Sequence, residues 1–174
     1  MYDIRTKLNE GNKKYIATSD SALRHQTAEH GQHPSAIVIC CSDSRVIPEK
    51  IFNATVGDLF VIRVAGNVLD NHQMGSIEYA AGHLDCRQII VLGHTGCGAV
   101  TAALSGGGDG FIKYITDDIL DAVGDERDPY KACCLNVMHA VQLLEKEFAS
   151  HPEIGSVTIS GAIYDLHSGE VTWL

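Results

Sequence analysis

Residues 36–40, Ala-Ile-Val-Ile-Cys, form an unbroken apolar run that passes directly into Cys41-Ser42-Asp43-Ser44-Arg45. Five consecutive apolar residues lack the alternation of a half-exposed strand and the length of a buried helix. They predict a strand covered on both faces. The pattern returns at Gln88–Leu92 (QIIVL), which runs into Gly93-His94-Thr95-Gly96-Cys97, and at Leu59–Val64 (LFVIRV). Buried strands of this kind belong to parallel sheets and need helical crossovers between them. Ile77, Ala80, Ala81 and Leu84 recur at helical spacing and predict a helix from about Gly75 to Leu84. A short helix is expected from about Gly98 to Leu104, a flexible loop at Ser105–Gly110, and a long helix from Pro129 to Ser150. The stripe Tyr130, Cys133, Cys134, Val137, Val141, Leu144 and Phe148 of that helix is expected to face the core.

The N-terminus predicts a helix over residues 3–17, with Ile4, Leu8, Tyr15 and Ile16 near one face. Residues 18–34 are polar and expected to be irregular, with a second helix as the alternative. Ser156–Ile163 and Glu170–Leu174, around a turn at His167-Ser168-Gly169, predict a strand and its hairpin partner. The expected fold is α/β: a single domain, residues 1–174, with a mainly parallel central sheet, an antiparallel last strand and flanking helices. Residues 1–34 form a helical arm and 35–174 the α/β core.

At 174 residues the chain has the length of one domain, and 45% hydrophobic with 20% charged residues marks a packed protein rather than a disordered one. The net charge of −9 argues against nucleic acid or an anionic membrane as partner. It is no obstacle to a small neutral substrate. The N-terminal stretch is charged and unlike a signal peptide, so a cytoplasmic location is expected. Six cysteines in such a compartment are expected to be thiols or metal ligands rather than disulfides.

Both ligand-type motifs follow predicted strands at their C-terminal ends, where open α/β sheets place their chemistry. If those strands are neighbours, Cys41, His94 and Cys97 converge. Two thiolates and an imidazole suit Zn²⁺, and three protein ligands leave a fourth tetrahedral position open. Each motif has a blander reading alone, since a cysteine after a buried strand is usually a core thiol and His-x-x-Cys is a weak signal. Gly93–Gly98 spans the glycine spacing of a phosphate loop, but Ala99-Val100 stands where Lys-Ser/Thr is required. The combination of both motifs, with Asp43 and Arg45 two and four residues after the first cysteine, favours the metal.

Cys-x-Asp-Ser-Arg, followed after a strand–helix–strand unit by His-x-x-Cys, resembles the β-class carbonic anhydrases. The resemblance extends from about Leu8 to the C-terminus. It takes in Glu10-Gly11-Asn12, Phe60 with Arg63, and Ile77-Glu78-Tyr79-Ala80. It implies Cys41, His94 and Cys97 as ligands of one zinc per chain, and Asp43 and Arg45 as a catalytic dyad. Gln32 is implied as an amide donor to substrate, Phe60 and Tyr79 as apolar pocket walls, and Gly98 as a close backbone approach to the site. A homodimer, or a higher oligomer built on it, is implied as the working unit. Ala65 stands where plant-type members carry a larger valine.

The activity implied is reversible hydration of CO₂ to bicarbonate and a proton, by attack of zinc-bound hydroxide. Asp43 would orient the nucleophile and Arg45 would hold Asp43. If that pair breaks, Asp43 becomes a possible fourth zinc ligand in an inactive state. Two thiolates offset the metal's formal charge, so activity is expected to rise above neutral pH. His25, His30, His33 and His72 are candidates for proton export. The alternatives are a related zinc hydrolase acting on CS₂ or COS and a non-enzymatic zinc- or thiol-sensing protein.

Overall fold

The computed structural model describes residues 3–174, apart from the side chain of Glu153. Residues 1 and 2 of the expected N-terminal arm lie outside the described residues. The chain divides into a unit ending at Gln32 and a unit from His33 to Leu174.

The first unit is a pair of helices, α1 (Ile4–Thr18) and α2 (Ser21–His30). Asp3 caps α1 by accepting from the Arg5 N–H at 3.3 Å, and Asp20 caps α2 by accepting from the Leu23 N–H at 3.0 Å. The second helix therefore stands where irregular chain was the first expectation. Its start signal, Asp20 before Ser21-Ala22-Leu23, was weak beside the polar composition. Ile4, Leu8, Tyr15 and Ile16 of α1 are all exposed.

The second unit is built on a five-stranded sheet: β1 (Ala36–Cys40), β2 (Leu59–Arg63), β3 (Gln88–His94), β4 (Thr158–Tyr164) and β5 (Val171–Trp173). The order across the sheet is β2-β1-β3-β4-β5. The first four strands are parallel and β5 is antiparallel to β4. All five residues of β1 are buried, because β1 lies between two neighbours and is covered on both faces. After β1 the chain goes to one side for β2 and then returns to the other side for β3. The β1–β3 boundary is thus the switch point of the sheet.

The helices of this unit are α3 (Pro48–Ile51), α4 (Asn71–His83), α5 (Gly98–Leu104), α6 (Ile112–Val123) and α7 (Pro129–Ser150). Helix α4 begins four residues before the expected Gly75. There the Asp70 side chain accepts from the His72 and Gln73 N–H groups, while Gln73 accepts from the Asp70 N–H at 3.1 Å. Helix α6 was not expected, although Ile115, Ile119 and Val123 have helical spacing and Ile119 and Val123 are buried. The glycine-rich segment before it masked the pattern.

Helix α7 has the expected bounds, and Cys133, Val137, Val141, Leu144 and Phe148 are buried. Tyr130 is a correction to the expected core stripe: at 48% exposure it sits on the first turn, beyond the sheet's cover. Cys134 is only partly buried. The helix presses so closely on the sheet that a Cβ on Gly93 would come within 2.5 Å of Val137 Cγ2, and one on Gly161 within 2.8 Å of Val137 Cγ1. Among the described residues no helix is long and apolar enough to cross a membrane.

Candidate metal centre

The switch point brings the two motifs together. Cys41 follows the last residue of β1, His94 is the last residue of β3, and Cys97 caps α5 three residues later. The Sγ atoms of Cys41 and Cys97 and a ring nitrogen of His94 all lie within 4.8 Å of one another. The three residues are 5%, 3% and 1% exposed, so polar ligand atoms converge where water is largely excluded.

His94 is oriented for coordination. Its Nδ1 lies 2.9 Å from the Thr95 carbonyl oxygen, which fixes a proton on Nδ1 and, in the neutral ring, leaves the Nε2 lone pair free. Nε2 is buried without a hydrogen-bond partner. A buried nitrogen left unpaired costs stability unless something else satisfies it. An orphaned imidazole nitrogen beside two thiols is the environment a zinc ion satisfies, and the donor set fits that metal.

The sulfur atoms are unequal. Cys41 is pulled well below the ordinary thiol value, first by hydrogen bonding from Cys97, against its own burial, then by His94 and the Gly66 N–H. Cys97 is pushed up by the same sharing and by burial. The pair thus carries one thiolate even without metal, and the thiolate is the form that ligates. Burial is the largest influence on His94 and works against its charged form. The neighbouring Cys41 thiolate outweighs it and leaves the ring above the usual histidine value. The other four thiols all titrate high, with burial the first cause: Cys40 at about 12, Cys133 at about 11, and Cys86 and Cys134 above the ordinary value.

Asp43 and Arg45 are paired. Arg45 donates from Nε to Asp43 Oδ1 at 3.0 Å and from Nη2 to Oδ2 at 2.7 Å, and the Arg45 backbone N–H adds a bond to Oδ1 at 2.9 Å. This fork, chiefly the side-chain bonds, holds the Asp43 carboxyl far below the usual carboxylate range. Arg63, at the end of β2, donates to the Cys41 carbonyl at 3.2 Å and to the Asp43 carbonyl at 2.6 Å. Sequence reasoning gave Arg63 no task. The available signal was its position: in the β1–β2 register it stands opposite Cys40, beside the ligand loop.

The remaining expected residues are more scattered. Phe60 and Tyr79 do meet, with ring centroids 6.4 Å apart, but Tyr79 is 47% exposed and not part of the core. Gly98 opens α5, and a Cβ there would meet nothing within 4 Å. Gln32 is exposed at the end of the first unit. His25, His30, His33 and His72 are exposed, and His72 Nδ1 lies 3.6 Å from Asp70 at the start of α4. A second group of ligand-type atoms, Glu78, Glu147 and His151, is half-buried, and within it His151 and Glu147 make a 3.1 Å contact.

A family model described as carbonic anhydrase matches residues 36–171. Carbonic anhydrase 2 of Mycobacterium tuberculosis is 44% identical over 117 residues, covering 63% of this chain. The match spans just over half of that relative's length, 56%. The carbonic anhydrase of Mycolicibacterium smegmatis is 35% identical over 182 residues, covering 94% of this chain and 88% of the relative. Among solved structures, the tetrameric β-carbonic anhydrases of Sordaria macrospora are represented by a chain that superposes with a TM-score of 0.79 at 26% identity, covering 98% of this chain and 95% of that one. Sequence, fold and ligand geometry agree: the chain belongs to the β-class carbonic anhydrase family.

Proposed function

We propose that this protein catalyses the reversible hydration of CO₂ to bicarbonate and a proton, using one zinc ion held by Cys41, His94 and Cys97. The observation that carries this reading is the buried Cys–His–Cys cluster with a forked Asp43–Arg45 pair beside it, in a chain of this family. When bound, zinc supplies Lewis acidity that makes water a nucleophile near neutral pH.

The chain's own residues do the rest. Asp43 is ionised throughout the working range and is an acceptor only, so it takes a hydrogen bond from an incoming water and turns that water's lone pair toward CO₂. Arg45 keeps both carboxylate oxygens directed and prevents Asp43 from turning toward the cluster. Arg63 fixes the loop carrying both Cys41 and Asp43, so ligand and acceptor keep one spacing. His94 holds its proton on Nδ1 against the Thr95 carbonyl and so keeps Nε2 available.

Stopped-flow measurement of CO₂ hydration at pH 8.5, with and without a strong chelator, tests this. Chelator-sensitive hydration is expected; its absence rejects the reading. We also propose a homodimer, or a larger assembly built from it, as the active form. Support comes from the exposed apolar residues of α1 and from the tetrameric relatives. Sedimentation at the mass of a single 18.8 kDa chain at micromolar concentration would overturn this.

A further inference from the structure

Asn136 interrupts the apolar stripe of α7 between Cys133 and Val137, and it is only 4% exposed. A carboxamide in such a stripe costs stability unless it is hydrogen-bonded. Its Nδ2 donates to the Gly66 carbonyl oxygen at 2.8 Å, a bond that spans 70 residues of sequence. Gly66 lies in the tight turn Ala65–Asn67 that follows β2, with φ +69°. A Cβ there would come within 2.8 Å of Ile119 Cδ1 and 3.1 Å of Ala99 Cβ, so the turn is wedged against α6 and α5. The Gly66 N–H points the other way and donates to Cys41 Sγ at 3.4 Å. One residue thus joins the buried amide of α7 to a sulfur of the metal cluster.

We propose that Asn136 is a positioning residue for the metal centre. By holding the Gly66 carbonyl it aims the Gly66 N–H at Cys41 Sγ, and so fixes which lone pairs of that sulfur face His94 and Cys97. The proposal rests on the reading of Cys41, His94 and Cys97 as zinc ligands. Groups that orient a ligand are worth about 10- to 100-fold in metal affinity.

Asn136→Leu is the test, because leucine has nearly the same size, suits the apolar stripe and cannot donate. Expected results are zinc binding weakened about 10- to 100-fold in chelator competition, and a shifted thiolate-to-metal charge-transfer band in the Co²⁺-substituted protein. The melting temperature of the metal-free protein should fall under either reading, because the buried Gly66 carbonyl loses its donor. A bond that is merely structural predicts that fall with zinc affinity and Co²⁺ spectrum unmoved, which overturns the proposal. If that variant does not fold, Asn136→Ala loaded with ¹¹³Cd decides the matter. A scalar coupling between cadmium and the Gly66 amide proton is expected in the wild type and is expected to shrink in Asn136→Ala; a coupling of unchanged size in that variant overturns the proposal. A wild-type protein that takes up no metal through these three residues rejects the ligand assignment itself. Unchanged binding in Asn136→Leu rejects only the role of Asn136.

Discussion

The side chain of Arg45 is 59% exposed, yet it occupies both oxygens of Asp43, whose own side chain is 17% exposed. An ion pair this open adds little to stability. Its importance is directional. Arg45→Ala is expected to lower kcat about 10- to 100-fold while the protein keeps one zinc per chain; steady-state kinetics beside metal analysis decide it, and near-wild-type turnover would remove Arg45 from the mechanism. The same pair has a signature at low pH. Its carboxyl titrates lower in the folded chain than in the unfolded one, so its contribution is present above the ordinary carboxylate pKa and fades as pH falls through the depressed folded value. Urea unfolding of the metal-free protein should therefore show a constant gap between wild type and Arg45→Ala from pH 7 to 5, and a shrinking one below about pH 4. Most of these residues were legible in the sequence because Cys41, Asp43, Arg45, His94 and Cys97 lie in two short motifs. Arg63 and Asn136 were not, since their partners are backbone atoms 20 to 70 residues away.

At the scale of elements, the site depends on how closely α7 approaches the sheet. Gly93 precedes His94 of the cluster, and the space above it is filled by Val137 and Ile163. Gly93→Ala is expected to cost about 1–3 kcal/mol through overpacking and to loosen metal binding by displacing the end of β3. Unchanged denaturation midpoint and zinc affinity would show that α7 can yield. Strands β1 and β3 were readable because strands buried on both faces must be continuously apolar. Helix α6 was missed although its apolar spacing is regular, because five of the six residues 105–110 are glycine or serine-type turn formers that obscured its start. Helix α2 was obscured by its own polarity: none of its residues is buried, so it carries no stripe to read.

At the scale of the whole molecule, Cys41, His94 and Cys97, from two separate βα junctions, meet only because β1 and β3 are adjacent in the sheet. Sequence spacing could suggest that adjacency and only the topology supplies it. The expected consequence for activity follows from charge. On the proposed zinc reading two thiolates would offset the metal's formal charge, so water at this site should be less acidic than at an all-histidine site. A pH–rate profile that rises from pH 7 to 9 is expected, and a flat profile from pH 6 to 9 would contradict it.

The unequal thiols also bear on how the protein ages. Cys41 is drawn toward the thiolate by its neighbours, with Cys97 beside it, and the other five cysteines are pushed toward the protonated form. Thiolates are what oxidants attack. On the proposed zinc reading, a chain stripped of metal would expose that sulfur next to a natural partner for sulfur–sulfur bond formation, and a loaded chain would have it capped. The metal would then double as a protecting group, and oxidative inactivation is expected to begin with demetallation.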